Sequence, residues 1–168
     1  MTDDRALGHL ESHPILLYDG VCGLCNRLVQ FILRRDPGGV FRFAALQSAL
    51  AGRVLARHGA RADDLDTVYV VVDYELASER IVARSDAVLL ILRRLGAGLR
   101  TAGTGEAPAP PHAQLMFWRA VGNFLQLVPR LIRDWGYGLV ARRRYRIFGR
   151  YDTCPVPRAD TRARFLDL

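Results

Sequence analysis

The chain contains no lysine: all 24 of its basic residues are arginine. Mechanisms that need a lysine amine are thereby excluded, including Schiff-base chemistry, cofactor linkage through lysine and the lysine clamp of a P-loop. Cysteine is scarce too, with three in 168 residues, too few and too unevenly spaced for a disulfide-stapled secreted scaffold. Long hydrophobic runs are missing. The stretch that comes nearest, Ala120 to Pro129, is flanked by Arg119 and Arg130 and falls well short of the roughly 18 to 20 residues that a spanning helix needs. The N-terminal segment is acidic and lacks the apolar core of a secretory signal. A cytoplasmic protein with no membrane span is expected. Half of the residues are hydrophobic, enough for one globular domain, or one small domain carrying an extension.

The formal net charge of +7 is unevenly placed: residues 1–92 hold ten arginines and twelve acids, residues 93–168 fourteen arginines and five acids. Such a basic C-terminal part can serve an anionic partner, nucleic acid or a membrane surface. It can equally be a set of solvated arginines in an alanine- and glycine-rich chain. No recognition motif accompanies the charge, so the solvated reading is adopted and no nucleic-acid partner is expected.

Periodicity divides the chain. Ile15 to Tyr18 reads as a strand before an Asp19-Gly20 turn, and from Cys22 to Arg35 the apolar residues Leu24, Leu28, Phe31 and Ile32 recur at helical steps until Asp36-Pro37-Gly38-Gly39. Val40 to Ala44 alternates as a strand. Leu46, Leu50, Val54 and Leu55 mark a second helix ending near His58-Gly59. Thr67 to Val72 and Glu79 to Ala83 form a hairpin, and Ser85 caps a third helix carrying Val88, Leu89, Ile91, Leu92 and Leu95. The order is βαβ-α-ββα. The expected division is a core over residues 1–96, a linker or exposed loop over 97–112, and a helical, arginine-rich extension with an irregular tail over 113–168, packed on the core.

Cys22-Gly23-Leu24-Cys25 falls where a strand gives way to a helix. Thiolate is the nucleophile in thiol-disulfide exchange, and the free N–H groups and dipole at a helix N-terminus stabilise it. On this reading Cys22 attacks, and Cys25, one turn further in, resolves the mixed disulfide. The same spacing supplies half of a zinc site, so a zinc-stabilised binding module with a basic partner-binding surface is the alternative. Its other ligands would have to come from Cys154 and four scattered histidines, His9, His13, His58 and His112. The adopted reading carries no metal and no cofactor.

The segment Tyr18-Asp19-Gly20-Val21-Cys22-Gly23-Leu24-Cys25-Asn26 resembles the signature of the DCC family of thiol-disulfide oxidoreductases. Arg35-Asp36, Phe43 to Ser48, Arg84-Ser85-Asp86-Ala87, Tyr145 to Gly149, Cys154 with Pro157, and Arg164-Phe165-Leu166 resemble that family in the same order. The resemblance implies a thioredoxin-like fold, a redox-active Cys22–Cys25 pair, and a disulfide or dithiol substrate, protein or small thiol. It leaves the oligomeric state open. One departure stands out: thioredoxins place a cis-proline before the third core strand, and here no proline occurs between Pro37 and Pro108. That puts thioredoxin's mode of peptide binding in question.

Asp19, three residues before Cys22, has two compatible roles: proton acceptor for the thiols, or acceptor for free N–H groups of the turn and helix start. Arg84 is read as solvated beside its capping serine, Cys154 as passive, and His58 as a partner for the dipole of the helix it ends. The aromatic residues Phe117, Trp118, Phe124 and Trp135 are read as packing on the sheet.

Overall fold

The structure, a computed structural model, describes residues 13–61, 63–96, 112–153 and 157–167. The elements are β1 (Ile15–Tyr18), α1 (Gly23–Arg35), β2 (Arg42–Ala45), α2 (Ala49–Arg57), β3 (Tyr69–Val72), β4 (Arg80–Ala83), α3 (Arg84–Gly96), α4 (His112–Leu127) and α5 (Arg130–Phe148), with a 3-10 turn at Arg162–Arg164. The sheet order is β2-β1-β3-β4. β1 runs parallel to β2, and the β1–β3 and β3–β4 pairs are antiparallel. This is the thioredoxin-like α/β arrangement, in the element order that the sequence pattern predicts. Most of the predicted linker, and Cys154, lie outside the described residues.

Every residue of β1 and β3 is buried because helices cover both faces of the sheet. Leu16, Tyr18, Val70 and Val72 pack with α1 and α3, while Ile15, Leu17, Tyr69 and Val71 pack with α2. α2 is capped by Ser48, whose hydroxyl accepts from the Ala51 amide at 3.2 Å. At the end of α1, buried Asp36 accepts the amides of Val40 and Phe41 at 3.0 and 2.9 Å and pairs with Arg164. Beside that ion pair, Phe165 stacks on Phe43, and the Leu166 amide donates to the Phe43 carbonyl at 2.8 Å. The tail therefore lies along β2.

α4 packs against α3, and α5 crosses both α1 and α3. Among the aromatic residues expected to pack on the sheet, Trp118 meets Phe31 edge-on at 5.0 Å, but Phe117, Phe124 and Trp135 are exposed. The expectation fails for all four, Trp118 included, because α1 and α3 already occupy that face of the sheet, so α4 and α5 form an outer layer with one side to solvent. Ser85 does not cap α3 as expected: the helix already begins at Arg84, which leaves Ser85 inside the first turn, where its hydroxyl donates to Asp134 of α5. The His58 side chain pairs with Glu79 at 2.9 Å, and Arg84 is exposed, with φ +55°.

The segment after α5 closes over the cysteine turn. Gly23 donates to the Gly149 carbonyl at 3.1 Å, Tyr151 donates to the Val21 carbonyl at 2.8 Å, and Cys22 faces Arg150 in an isolated antiparallel bridge. A methyl group on Gly23 would stand 2.1 Å from the Phe148 carbonyl oxygen. That neighbour is backbone and cannot swing aside. Gly23→Ala is expected to destabilise the protein by about 1–3 kcal/mol in urea unfolding; an unchanged midpoint would show that this closure is absent in solution.

Candidate functional site

Cys22 is the N-cap residue of α1, with extended backbone angles, and Cys25 lies in the first turn. Both are free thiols, 0 % and 4 % exposed. The two thiols interact, Cys25 acting as hydrogen-bond donor towards the Cys22 sulfur. That bond is the largest influence lowering the Cys22 pKa; burial opposes it, while the backbone N–H groups of Cys25 and Leu24 and the charge of Arg144 act in the same direction. The net result is a pKa near 6, down from an ordinary 9.0. Cys25 moves strongly upward, because it gives its proton to that bond, is buried, and sits beside the negative charge on Cys22. The two thiols are therefore unequal: Cys22 favours the thiolate and Cys25 is held protonated.

Asp19, 1 % exposed, lies beneath the pair at the end of β1. Its Oδ1 accepts from the Val21 amide at 3.2 Å and from Gln47 Nε2 at 2.9 Å, and the Cys22 amide donates to its main-chain carbonyl at 3.2 Å. The turn-organising role expected from the sequence is thus present. Its Oδ2 accepts from Tyr145 Oη and from Arg144 Nη2, the latter at 3.2 Å. Arg144 is 3 % exposed; it also donates to Tyr145 Oη at 2.8 Å and reaches Asp66 Oδ1 at 3.2 Å. A buried carboxylate is costly unless paired and hydrogen-bonded, and α5 supplies both kinds of partner. The Tyr145 hydroxyl is shifted upward by burial and by its bond to Asp19.

Between α1, α3 and α5 lies a cleft of about 330 Å³. Leu24, Leu28, Val88 and Val140 make its walls apolar, and among the described residues Cys25, Tyr137 and Arg144 bring its polar side chains. Tyr137 Oη receives the Val68 amide at 2.9 Å, and burial pushes its pKa up to about 12. Val68 immediately precedes β3, at the place of the missing cis-proline, and no cis peptide occurs among the described residues. Its carbonyl accepts from the Arg84 amide at 3.0 Å. Both backbone groups there are already engaged within the chain.

Sequence reasoning singled out Cys22, Cys25 and Asp19 and missed Arg144 and Tyr137; Gln47 and Tyr145 entered only as parts of family-like segments. A signal for Arg144 was present: Tyr137, Ala141 and Arg144 recur at steps of four and three, which places them on one face of α5. Among the described residues no three of His, Cys, Asp and Glu converge on a metal-sized site.

Comparison with known proteins agrees with this chemistry. A profile described as DCC1-like thiol-disulfide oxidoreductase matches residues 16–105, more than half of the chain, including Asp19, Cys22 and Cys25. A chloroplastic DCC family protein of Arabidopsis thaliana is 36 % identical over 146 residues, covering 87 % of this chain and 71 % of that protein. The uncharacterized protein YuxK of Bacillus subtilis is 32 % identical over 152 residues, covering 90 % of this chain and 93 % of its own. No solved structure gives a significant match. The chain belongs to the DCC1-like thiol-disulfide oxidoreductase family.

Proposed function

We propose that the protein cycles Cys22 and Cys25 between dithiol and disulfide through a mixed disulfide on Cys22. The Cys22 thiolate attacks a substrate disulfide and the outgoing sulfur leaves as a thiolate that takes up a proton. Cys25 then loses its proton and attacks Cys22, releasing the second substrate sulfur; two electrons have passed from the pair to the substrate. The reverse direction uses the same steps. The observation that carries this reading is the asymmetry of the two sulfurs, created by one hydrogen bond at a helix start.

Two features bear on the substrate. Thioredoxin-type pairing of an extended peptide is disfavoured at Val68, whose amide is held by Tyr137. The cleft beside Cys25 has the size of small-molecule sites. Both favour a small disulfide, or a single disulfide-bearing side chain, over a long peptide strand. A substrate sulfur gains Cys22 when Gly149–Tyr151 parts from Val21–Gly23, which breaks the two backbone hydrogen bonds between them.

The test is the pH profile of Cys22 alkylation in the reduced protein. A lowered pKa stabilises the thiolate form, so the rate should climb as pH rises to about 6 and level off above it. In linkage terms, the stability that Cys22 contributes is fully present above pH 9.0 and is lost as pH falls through about 6. Cys25→Ala removes the donor and should move the inflection upward. A rate still climbing towards pH 9, unmoved by Cys25→Ala, would refute the proposed activation.

A further inference from the structure

We propose that the outer side of α4 and α5 docks the protein onto an anionic lipid bilayer surface. Met116, Phe124, Leu127, Leu131 and Trp135 stand out from these helices, 73 %, 68 %, 81 %, 85 % and 68 % exposed. They fall at helical steps: Met116, Phe124 and Leu127 along α4, then Leu131 and Trp135, four residues apart, on the first turns of α5. Isolated exposed apolar residues are ordinary, but five of this size on two consecutive helices, separated only by Val128-Pro129, form an interaction surface.

The charge around them selects the occupant. Residues 112–148 contain seven arginines and one acid, and that acid, Asp134, is engaged by Ser85 and by Arg130 at 3.5 Å. Arg119, Arg130, Arg142, Arg143 and Arg146 are exposed. A second copy of the chain, docked through the same face, would bring like-charged arginines together, which costs several kcal/mol. Nucleic acid would neutralise the arginines but would leave Leu127 and Leu131 in water. A bilayer interface satisfies both: leucine and tryptophan enter the headgroup–acyl boundary while arginine guanidinium groups stay at the phosphates. The contact is interfacial, since no helix among the described residues is long and apolar enough to cross a membrane. The other side of α5 carries Tyr137 and Arg144 to the cleft beside Cys25, so docking would set the thiols about one helix diameter, roughly 10 Å, from lipid.

The experiment uses the full chain carrying Trp118→Phe, which leaves Trp135 as the sole tryptophan. It is mixed with vesicles of phosphatidylcholine alone or phosphatidylcholine with phosphatidylglycerol. Co-sedimentation with the anionic vesicles, a blue shift of Trp135 emission, and weakening by added salt are expected. Leu127→Ser with Leu131→Ser should weaken binding by about tenfold or more, with the rate of Cys22 alkylation unchanged. The proposal is overturned by any of three results: no binding to anionic vesicles at low salt; binding that the leucine substitutions do not change; or sedimentation showing a dimer that these substitutions dissociate. Nucleic-acid binding that excludes vesicles and survives the substitutions would also overturn it.

Discussion

Cys22→Ser is expected to reduce turnover of a small aromatic disulfide by about a hundredfold or more, to the uncatalysed background, while Cys25→Ser still releases one equivalent of thiol and then stalls. The difference follows from the hydrogen bond between the sulfurs. Serine at position 22 cannot become a nucleophile at neutral pH, so no mixed disulfide forms. Serine at position 25 keeps a hydroxyl donor for the Cys22 thiolate, so the first attack survives, but it offers no sulfur to complete the exchange. Mass spectrometry should find one substrate half on Cys22 in Cys25→Ser, and an internal Cys22–Cys25 disulfide in oxidised native protein that dithiothreitol reverses. Equal burst and turnover in both variants would refute the assignment of roles. The stalled variant also captures physiological substrates directly.

Arg144→Met is expected to destabilise the protein by about 3–5 kcal/mol, the usual cost of removing one partner from a buried ion pair. The loss comes from Asp19, which keeps Gln47, Tyr145 and the Val21 amide as donors but no longer has a cation within the site. The Asp66 contact adds little, because its side chain is 59 % exposed. Arg143→Met, one residue away and exposed, should change stability by less than about 0.5 kcal/mol. Urea unfolding of the two variants makes the comparison. A second readout separates positioning from simple scaffolding: the Arg144 charge lowers the Cys22 pKa, so the alkylation profile of folded Arg144→Met should shift to higher pH, whereas that of Arg143→Met should not. Equal destabilisation by both variants, or an unmoved profile, would remove Arg144 from the site.

What was legible in the sequence was local. The helical stripe from Leu24 to Ile32 and the β-branched run before Asp73 encode their elements within a few residues, and the order of those elements leaves few ways to build a sheet. Cys22 and Cys25 were legible because a strand-to-helix junction is recognisable without a tertiary model. The rest depends on distant pairs. Arg144 is one of three consecutive arginines, and only packing separates the buried one from its exposed neighbours Arg142 and Arg143. Phe165 lies in a tail whose prolines suggested only loop, yet it pairs with Phe43. The aromatic residues of α4 and α5 were misread for a related reason: hydrophobicity specifies that a side chain seeks cover, and the cover here was already taken by α1 and α3.

The pairing of Asp19 with Arg144 joins residues 125 positions apart, and this sets an order of events during synthesis. A ribosome delivers the Cys22–Cys25 turn well before the residues that neutralise the carboxylate beneath it. Until α5 emerges, the nascent chain carries a carboxylate without its cation and two thiols without Gly149–Tyr151 over them. The cysteine site therefore matures only after α5 has emerged, and its thiols are open to premature oxidation until then.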